Sequence, residues 1–220
     1  MLVHSIFESI SGEAGFFFQG TWCTFIRLQG CNLRCHYCDT PEAQKISTAG
    51  QNMFIKEILF ECQKLKNRHI LITGGEPLFR NQVELFALIA ELVHQDYLVQ
   101  IETNGSLNLP ERYPVPRDKV FWVIDRKGPS SGMSGKMLAP LALNNQFKIN
   151  SGILKYVISH KIDLAYAIND MKSFPDEDYF LLSPVDGKGK YINWIVKNLP
   201  DDLRNKVVFS VQLHKILQLP

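Results

Sequence analysis

Three cysteines crowd into eight residues, Cys31-Asn32-Leu33-Arg34-Cys35-His36-Tyr37-Cys38. Five cysteines in 220 residues are too few for a disulfide framework, and their number is odd. In a reducing compartment such a crowded set reads as a metal or redox site. Structural zinc takes four ligands in a closed tetrahedron, commonly from two CxxC pairs, and this stretch offers one. His36 lies between two of the cysteines in sequence, and His4, His69, His94, His160 and His214 show no paired ligand spacing. Iron–sulfur clusters are held by thiolates on short, irregular spacings. Three ligands on a four-iron cluster leave one iron open to a substrate or cosubstrate. Cys23 and Cys62 stand apart. The first sits in the β-rich run Thr21–Leu28 and the second continues the helical spacing Ile55, Ile58, Leu59, Cys62, Leu65, so both read as core residues.

The elements that must position this loop follow from hydrophobic patterning. Short apolar, β-rich runs recur at Trp22–Leu28, Ile70–Thr73, Leu98–Glu102, Val120–Ile124, Leu154–Ser159, Tyr179–Leu182 and Val207–Gln212. Helical patterns lie between several of them, at Phe54–Lys66, Gln82–His94, Ile162–Met171 and Ile192–Asn198, with Asn81 placed to cap the second and Pro200 to end the last. Strands alternating with helices, and apolar on both faces, predict an α/β fold with a mostly parallel sheet. Six or seven strands with about four helices fall short of an eight-fold barrel, so the expectation is an incomplete, TIM-type (β/α) barrel forming one domain over residues 1–220. Nearly every strand run exits into a polar tail: Gln29-Gly30-Cys31, Thr73-Gly74-Gly75-Glu76-Pro77, Glu102-Thr103-Asn104-Gly105, Asp125-Arg126-Lys127-Gly128, Ser183-Pro184-Val185-Asp186 and Gln212-Leu213-His214. In a parallel barrel these ends share one rim, where such folds place their active sites. A single polar strand end is an ordinary turn; six together point to a site.

Composition narrows the function classes. Apolar residues make up 45% and charged residues 21%, ordinary values for a globular chain, which excludes a disordered or fibrous one. Lys plus Arg total 24 against 22 Asp plus Glu, a net charge of +2, too balanced to argue for a nucleic-acid partner. The longest apolar stretch, Leu85–Val93, contains Glu91 and is far short of a membrane span. The start, MLVHSIFESISGE, lacks the basic and apolar regions of a secretory signal, so a cytoplasmic protein is expected.

The spacing CxxxCxxC after a first strand, joined by Thr73-Gly74-Gly75-Glu76-Pro77 after the second, resembles the radical S-adenosylmethionine enzymes. In that family three cysteines hold a [4Fe-4S] cluster whose open iron chelates S-adenosylmethionine, and reduction releases a 5′-deoxyadenosyl radical. Within it, Ser11-Gly12-Glu13, Phe25-Ile26-Arg27-Leu28, Cys38-Asp39-Thr40, Glu102-Thr103-Asn104-Gly105 and Gln212-Leu213-His214-Lys215 occur in the order found in the 7-carboxy-7-deazaguanine synthases, and the resemblance runs from about Phe7 to Pro220. It implies conversion of 6-carboxy-5,6,7,8-tetrahydropterin to 7-carboxy-7-deazaguanine by ring contraction with loss of ammonia, a step of deazapurine biosynthesis. It also implies Mg²⁺, an external electron donor and a homodimer.

The same resemblance assigns residues. Cys31, Cys35 and Cys38 would hold the cluster. Tyr37, Cys38, Asp39, Gly75, Asp125, Arg126, Lys127, Ser183, Pro184, Val185 and Asp186 would contact S-adenosylmethionine, with Asp125 and Arg126 replacing a frequent Ser-Pro. Thr40 would bind Mg²⁺. Ile10, Ser11, Gly12, Arg27, Thr73, Glu102, His214 and the carboxyl group of Pro220 would meet the pterin, although Ser11 and Ala14 stand where Gln and a second Gly are usual. The Gly128–Met133 stretch resembles a loop found in part of the family.

Several of these residues carry a plainer reading on their own chemistry. Arg27 lies between apolar neighbours and is either a structural or solvent-facing cation or a fork for a carboxylate. Thr40 is a turn cap or a neutral oxygen suited to Mg²⁺. Gly74-Gly75 is a tight turn or a close approach of backbone to a ligand, and Glu102 is a surface carboxylate or an acceptor for an amino-pteridine. Two other functions remain open at this point. One is an activase that forms a glycyl radical on a partner protein, which needs an open groove; the other is a non-catalytic zinc module, which would hold zinc without iron or sulfide.

Overall fold

The computed structural model describes residues 1–12, 19–46, 50–109, 115–147, 151–185 and 189–219, and for 144–147, 189–190, 214 and 215 the backbone alone. Nine strands are described: β1 (Leu2–Ile10), β2 (Trp22–Leu28), β3 (Gln51–Asn52), β4 (His69–Gly74), β5 (Leu98–Thr103), β6 (Val120–Asp125), β7 (Gly152–Ile158), β8 (Phe180–Pro184) and β9 (Val207–Phe209). The helices are α1 (Ile55–Leu65), α2 (Gln82–His94), α3 (Pro140–Phe147), α4 (Lys161–Met171), α5 (Gly189–Asn198), α6 (Asp201–Arg204) and α7 (Leu213–Leu217). The strands form one sheet in the order β3-β1-β2-β4-β5-β6-β7-β8-β9. From β2 to β9 every neighbour is parallel, whereas β1 runs antiparallel to both β2 and β3. The result is an open (β/α) barrel whose described ends, β3 and β9, do not pair.

The seven runs read from sequence are the seven parallel strands. Most were recognisable because they are covered on both faces; β9, with Val208 exposed, is the exception. Even-numbered positions of β4 and β6, such as Ile70, Ile72, Trp122 and Ile124, are buried against the helices in one large core with Leu85, Leu88, Ile89 and Leu92 of α2 and Leu164 and Ala167 of α4. The opposite face closes the barrel interior, where Cys23, Phe25 and Leu71 pack together with Phe7, whose ring stacks on Phe25 at 5.0 Å. Side chains alternate along a strand, so residue parity decides which of these two environments each one enters.

Caps and breakers set the helix ends. The Asn81 side chain accepts from the Glu84 amide at 3.3 Å and starts α2. Pro200 follows α5 and serves as the N-cap of α6. The last apolar run is shorter as a strand than Val207–Gln212 predicts: β9 ends at Phe209, although the Ser210 amide still donates to Leu182 O at 3.0 Å. Beyond it the chain turns across the barrel mouth. The Gln19 side chain donates to Val211 O, and the Leu213 amide donates to Gly12 O at 3.2 Å.

Candidate active site

One face of the parallel strands, together with their carboxyl ends, lines a cavity of ≈ 380 Å³, within the range of small-molecule sites. Register explains which residues meet there. Arg27 on β2 lies beside Thr73 on β4, Asp125 on β6 beside Lys155 on β7, and Val157 beside Ser183 on β8. All six line the cavity, with Phe25, Glu102 and Val123 from the same faces. The Thr73 hydroxyl donates to Glu102 Oε2 at 3.1 Å, which ties two predicted substrate contacts to each other.

The cysteine loop closes one side of this space. Cys31, Cys35 and Cys38 all line it, and all five cysteines are free thiols. Burial pushes the Cys31 and Cys35 thiols up, against opposing hydrogen bonds from the Leu33 amide and Asn104 at Cys31 and the charge of Lys127 at Cys35. Cys23 and Cys62 are buried away from the loop, and burial raises both to about 12, as expected of core thiols. Among the described residues no three His, Cys, Asp or Glu side chains converge on one ion position. The three loop thiols instead share a cavity, a donor set that suits a cluster whose irons take one thiolate each.

A second observation fits a ligand beside them. The Tyr37 hydroxyl is buried and has no hydrogen-bond partner among the described residues, and burial, partly offset by Lys127, pushes its pKa up to about 12. A buried donor left unmade is costly, and this one belongs to a residue that lines the cavity. Opposite it stands an ionic trio. Lys127 Nζ lies 2.5 Å from Asp125 Oδ2, and Lys155 Nζ lies 3.5 Å from Asp125 Oδ1. Burial opposes ionisation of Asp125, but the two lysines outweigh it and hold the carboxyl below the usual range. Burial likewise opposes the charge on Lys127, and Asp125 more than restores it, so its pKa is raised. Two ammonium groups and one carboxylate thus line the same cavity.

Loops hold this arrangement from behind. Glu76 is 2% exposed and accepts from the Thr103 hydroxyl (2.7 Å), the Asn104 amide (2.6 Å) and the Leu78 amide (3.0 Å), locking the turn after β4 to the turn after β5. Gly74 has φ +127°, and a Cβ at Gly75 would collide with the Gly30 carbonyl oxygen, so the pair is needed as a turn and also reaches the cavity. The Gly128–Met133 stretch packs on the cysteine loop. His36 donates its amide to Ser131 O at 3.1 Å, and the His36 ring leaves no room for a Cβ at Gly132.

Of the residues singled out by sequence, Gly12, Arg27, Tyr37, Cys38, Asp39, Thr40, Thr73, Gly75, Glu102, Asp125, Lys127, Ser183, Pro184 and Val185 line the cavity with the other two loop cysteines. Ile10 and Ser11 are buried just outside it, with the Ser11 amide bonded to Thr21 O. Arg126 is not brought to the cavity. It follows Asp125 on the opposite face, is 2% exposed, and grips Asp170 of α4 with two 2.7 Å bonds while Tyr156 donates to the same carboxylate at 2.9 Å. Strand parity turns it toward the helices. Asp186 and Pro220, with Ala14, lie outside the described residues, and the His214 side chain is not described. Sequence reasoning missed Lys155, and it quoted Glu76, Asn104 and Gln212 within strand-end motifs without giving them a role; the Gln212 side chain donates to Asp39 Oδ2 at 2.9 Å. A lone lysine inside the apolar run GILKYVI was the available signal for the first.

Comparison with known proteins decides the family. The Radical SAM superfamily model matches residues 25–118. A 7-carboxy-7-deazaguanine synthase of Methanospirillum hungatei is 32% identical over 223 residues, covering 100% of this chain and 86% of that one. The chain belongs to the 7-carboxy-7-deazaguanine synthase family. The family's enzyme from Clostridium acetobutylicum is 33% identical over 217 residues, covering 97% of this chain and 94% of the relative. The crystal structure of QueE from Escherichia coli superposes with a TM-score of 0.70 at 20% identity, covering 96% of this chain and 92% of that one, which supports the open barrel as the shared fold. As a member of this radical S-adenosylmethionine family the chain is an enzyme that uses a [4Fe-4S] cluster and S-adenosylmethionine.

Proposed function

We propose that this enzyme converts 6-carboxy-5,6,7,8-tetrahydropterin to 7-carboxy-7-deazaguanine with loss of ammonia. The observation that carries the reading is the meeting, in one ≈ 380 Å³ cavity, of the three-cysteine loop with Arg27, Thr73 and Glu102. Cys31, Cys35 and Cys38 would hold the cluster. With S-adenosylmethionine bound, that group supplies the radical that starts the ring contraction. The rest is positioning by this chain. Arg27 presents a guanidinium fork to the substrate carboxylate. Glu102, steadied by Thr73, accepts from the amino-pteridine edge. Lys127, braced by Asp125, presents its ammonium to the carboxylate of S-adenosylmethionine, beside Tyr37, Gly75, Ser183, Pro184 and Val185. The Thr40 hydroxyl is an oxygen suited to Mg²⁺, which would take its other ligands from water and substrate.

We further propose that residues 1–220 act as one domain, in a cytoplasmic homodimer served by an external electron donor. None of the described helices is long and apolar enough to cross a membrane. The alternative of a glycyl-radical activase is not favoured, because the whole-chain relatives are named for a small-molecule product. Anaerobic incubation of reconstituted protein with S-adenosylmethionine, reductant, Mg²⁺ and the carboxypterin tests the proposal. Mass spectrometry should find the deazaguanine product together with released ammonia; absence of both in protein that still cleaves S-adenosylmethionine would refute it.

A further inference from the structure

Asn104, just past the end of β5, is 7% exposed, and each polar atom of its amide is committed. Its oxygen accepts from the Ser106 amide at 3.0 Å and the Ser106 hydroxyl at 2.6 Å. Its NH₂ group donates to Asn32 Oδ1 at 2.9 Å and faces Cys31 Sγ at 3.7 Å. A backbone N–H can only donate, so the Ser106 amide fixes which side of the Asn104 side chain is oxygen and leaves the NH₂ no choice but to point at the sulfur. Asn32 closes the ring by donating to the Ser106 hydroxyl at 2.8 Å. Glu76 anchors the whole group through the Asn104 amide. The Cys31 sulfur also receives the Leu33 amide at 3.4 Å. A network that holds one N–H donor against one cysteine sulfur, inside the protein and with no freedom to turn away, acts on that sulfur's charge.

We infer that Asn104 is a positioning residue that sets the reduction potential of the cluster through its N–H···S contact with Cys31. The inference rests on Cys31 being a cluster ligand. Reduction adds one electron, part of whose charge resides on the thiolate sulfurs. A donor at the sulfur stabilises the reduced form more than the oxidised one and makes the potential less negative. Hydrogen bonds to the ligand sulfurs are among the protein's levers on such potentials.

The test is an EPR-monitored redox titration of anaerobically reconstituted protein, with iron and sulfide content measured on the same samples. Asn104→Ala should keep the cluster and shift its reduction equilibrium about tenfold toward the oxidised form, about 59 mV more negative for one electron. Asn104→Asp keeps the shape, loses the donor and places a charge at the sulfur, so it should shift at least as far. Asn104→Leu keeps the side-chain volume and has no donor, so it should give a shift of the same sign and similar size. Unchanged midpoints in Asn104→Ala and Asn104→Asp overturn the inference. If both of those variants lose the cluster, an unchanged midpoint in Asn104→Leu overturns it instead. Wild-type protein that holds no iron and sulfide would overturn the ligand assignment itself, a result distinguishable from a cluster that is present and unshifted.

Discussion

Arg27 donates a 2.6 Å hydrogen bond to the Thr40 hydroxyl. The residue matched to the substrate carboxylate thus sits on the oxygen matched to Mg²⁺. The guanidinium is further held 5.5 Å from the Phe7 ring, itself stacked on Phe25. A cation already on the hydroxyl excludes a second one, so the proposed metal site opens when a carboxylate draws Arg27 away. The carboxypterin should therefore lower the Mg²⁺ concentration needed for half-maximal binding in a metal titration, and Arg27→Ala should remove that dependence. The same variant should weaken carboxypterin binding by at least about thirtyfold, from the 2–5 kcal/mol typical of removing one partner of a buried charge pair. It should still bind iron and cleave S-adenosylmethionine slowly without substrate. Unchanged substrate affinity would exclude the role of Arg27.

Cysteine replacement separates the loop from the core. Cys35→Ala should abolish reductive cleavage of S-adenosylmethionine and the cluster's visible absorbance. Cys62→Ala, in a helix face with no exposed surface, should leave both intact and cost about 1 kcal/mol of stability, the usual scale for a buried point change. Normal cleavage by Cys35→Ala protein would sink the cluster assignment.

The parallel strands from β2 to β8 were legible because burial on both faces makes them continuous apolar runs, and β9 because it is β-branched and aromatic throughout although Val208 is exposed. β1 was not. Its sequence LVHSIFESI mixes His4, Ser5 and Glu8 into an antiparallel strand that is only partly buried, so no run stands out. The cysteine loop and the strand-end motifs were legible as local spacing. Interior contacts such as Lys155 with Asp125 were not, because they depend on which strands become neighbours and on the parity of residues within them. The same parity overrules motif transfer at Arg126. The purpose of Glu76 was equally hidden, since two of its three partners lie 27 and 28 residues away.

Arg126 offers a direct contest between motif and geometry. Its bidentate pair with Asp170 is almost fully buried, and it adds a 2.7 Å bond to Leu138 O and a contact with the Phe174 ring. Breaking such a pair from one side typically costs about 3–5 kcal/mol because a buried charge is left alone. Arg126→Ala should lower the urea midpoint accordingly, and Asp170→Asn should do much of the same damage, the double variant being less than additive. Folded Arg126→Ala protein should retain its affinity for S-adenosylmethionine in equilibrium dialysis. A stable variant with lost cosubstrate affinity would return Arg126 to the site.

Tyr37 makes opposite predictions for stability and for binding. Its buried hydroxyl has no partner among the described residues, so removing it relieves a desolvation cost of about 1–3 kcal/mol that no hydrogen bond offsets. Tyr37→Phe should therefore unfold at equal or higher urea concentration than wild type. It should also bind S-adenosylmethionine more weakly, by about tenfold for one lost hydrogen bond of ordinary net strength. Alkaline pH separates the two forms again. The folded hydroxyl ionises near 12 against 10 for the ordinary group, so the unfolded chain releases its proton first. Wild-type stability should then fall relative to Tyr37→Phe as pH rises from about 10 toward 12. If the variant is instead less stable than wild type at neutral pH and binds S-adenosylmethionine equally well, the hydroxyl has a structural partner and is not waiting for a ligand.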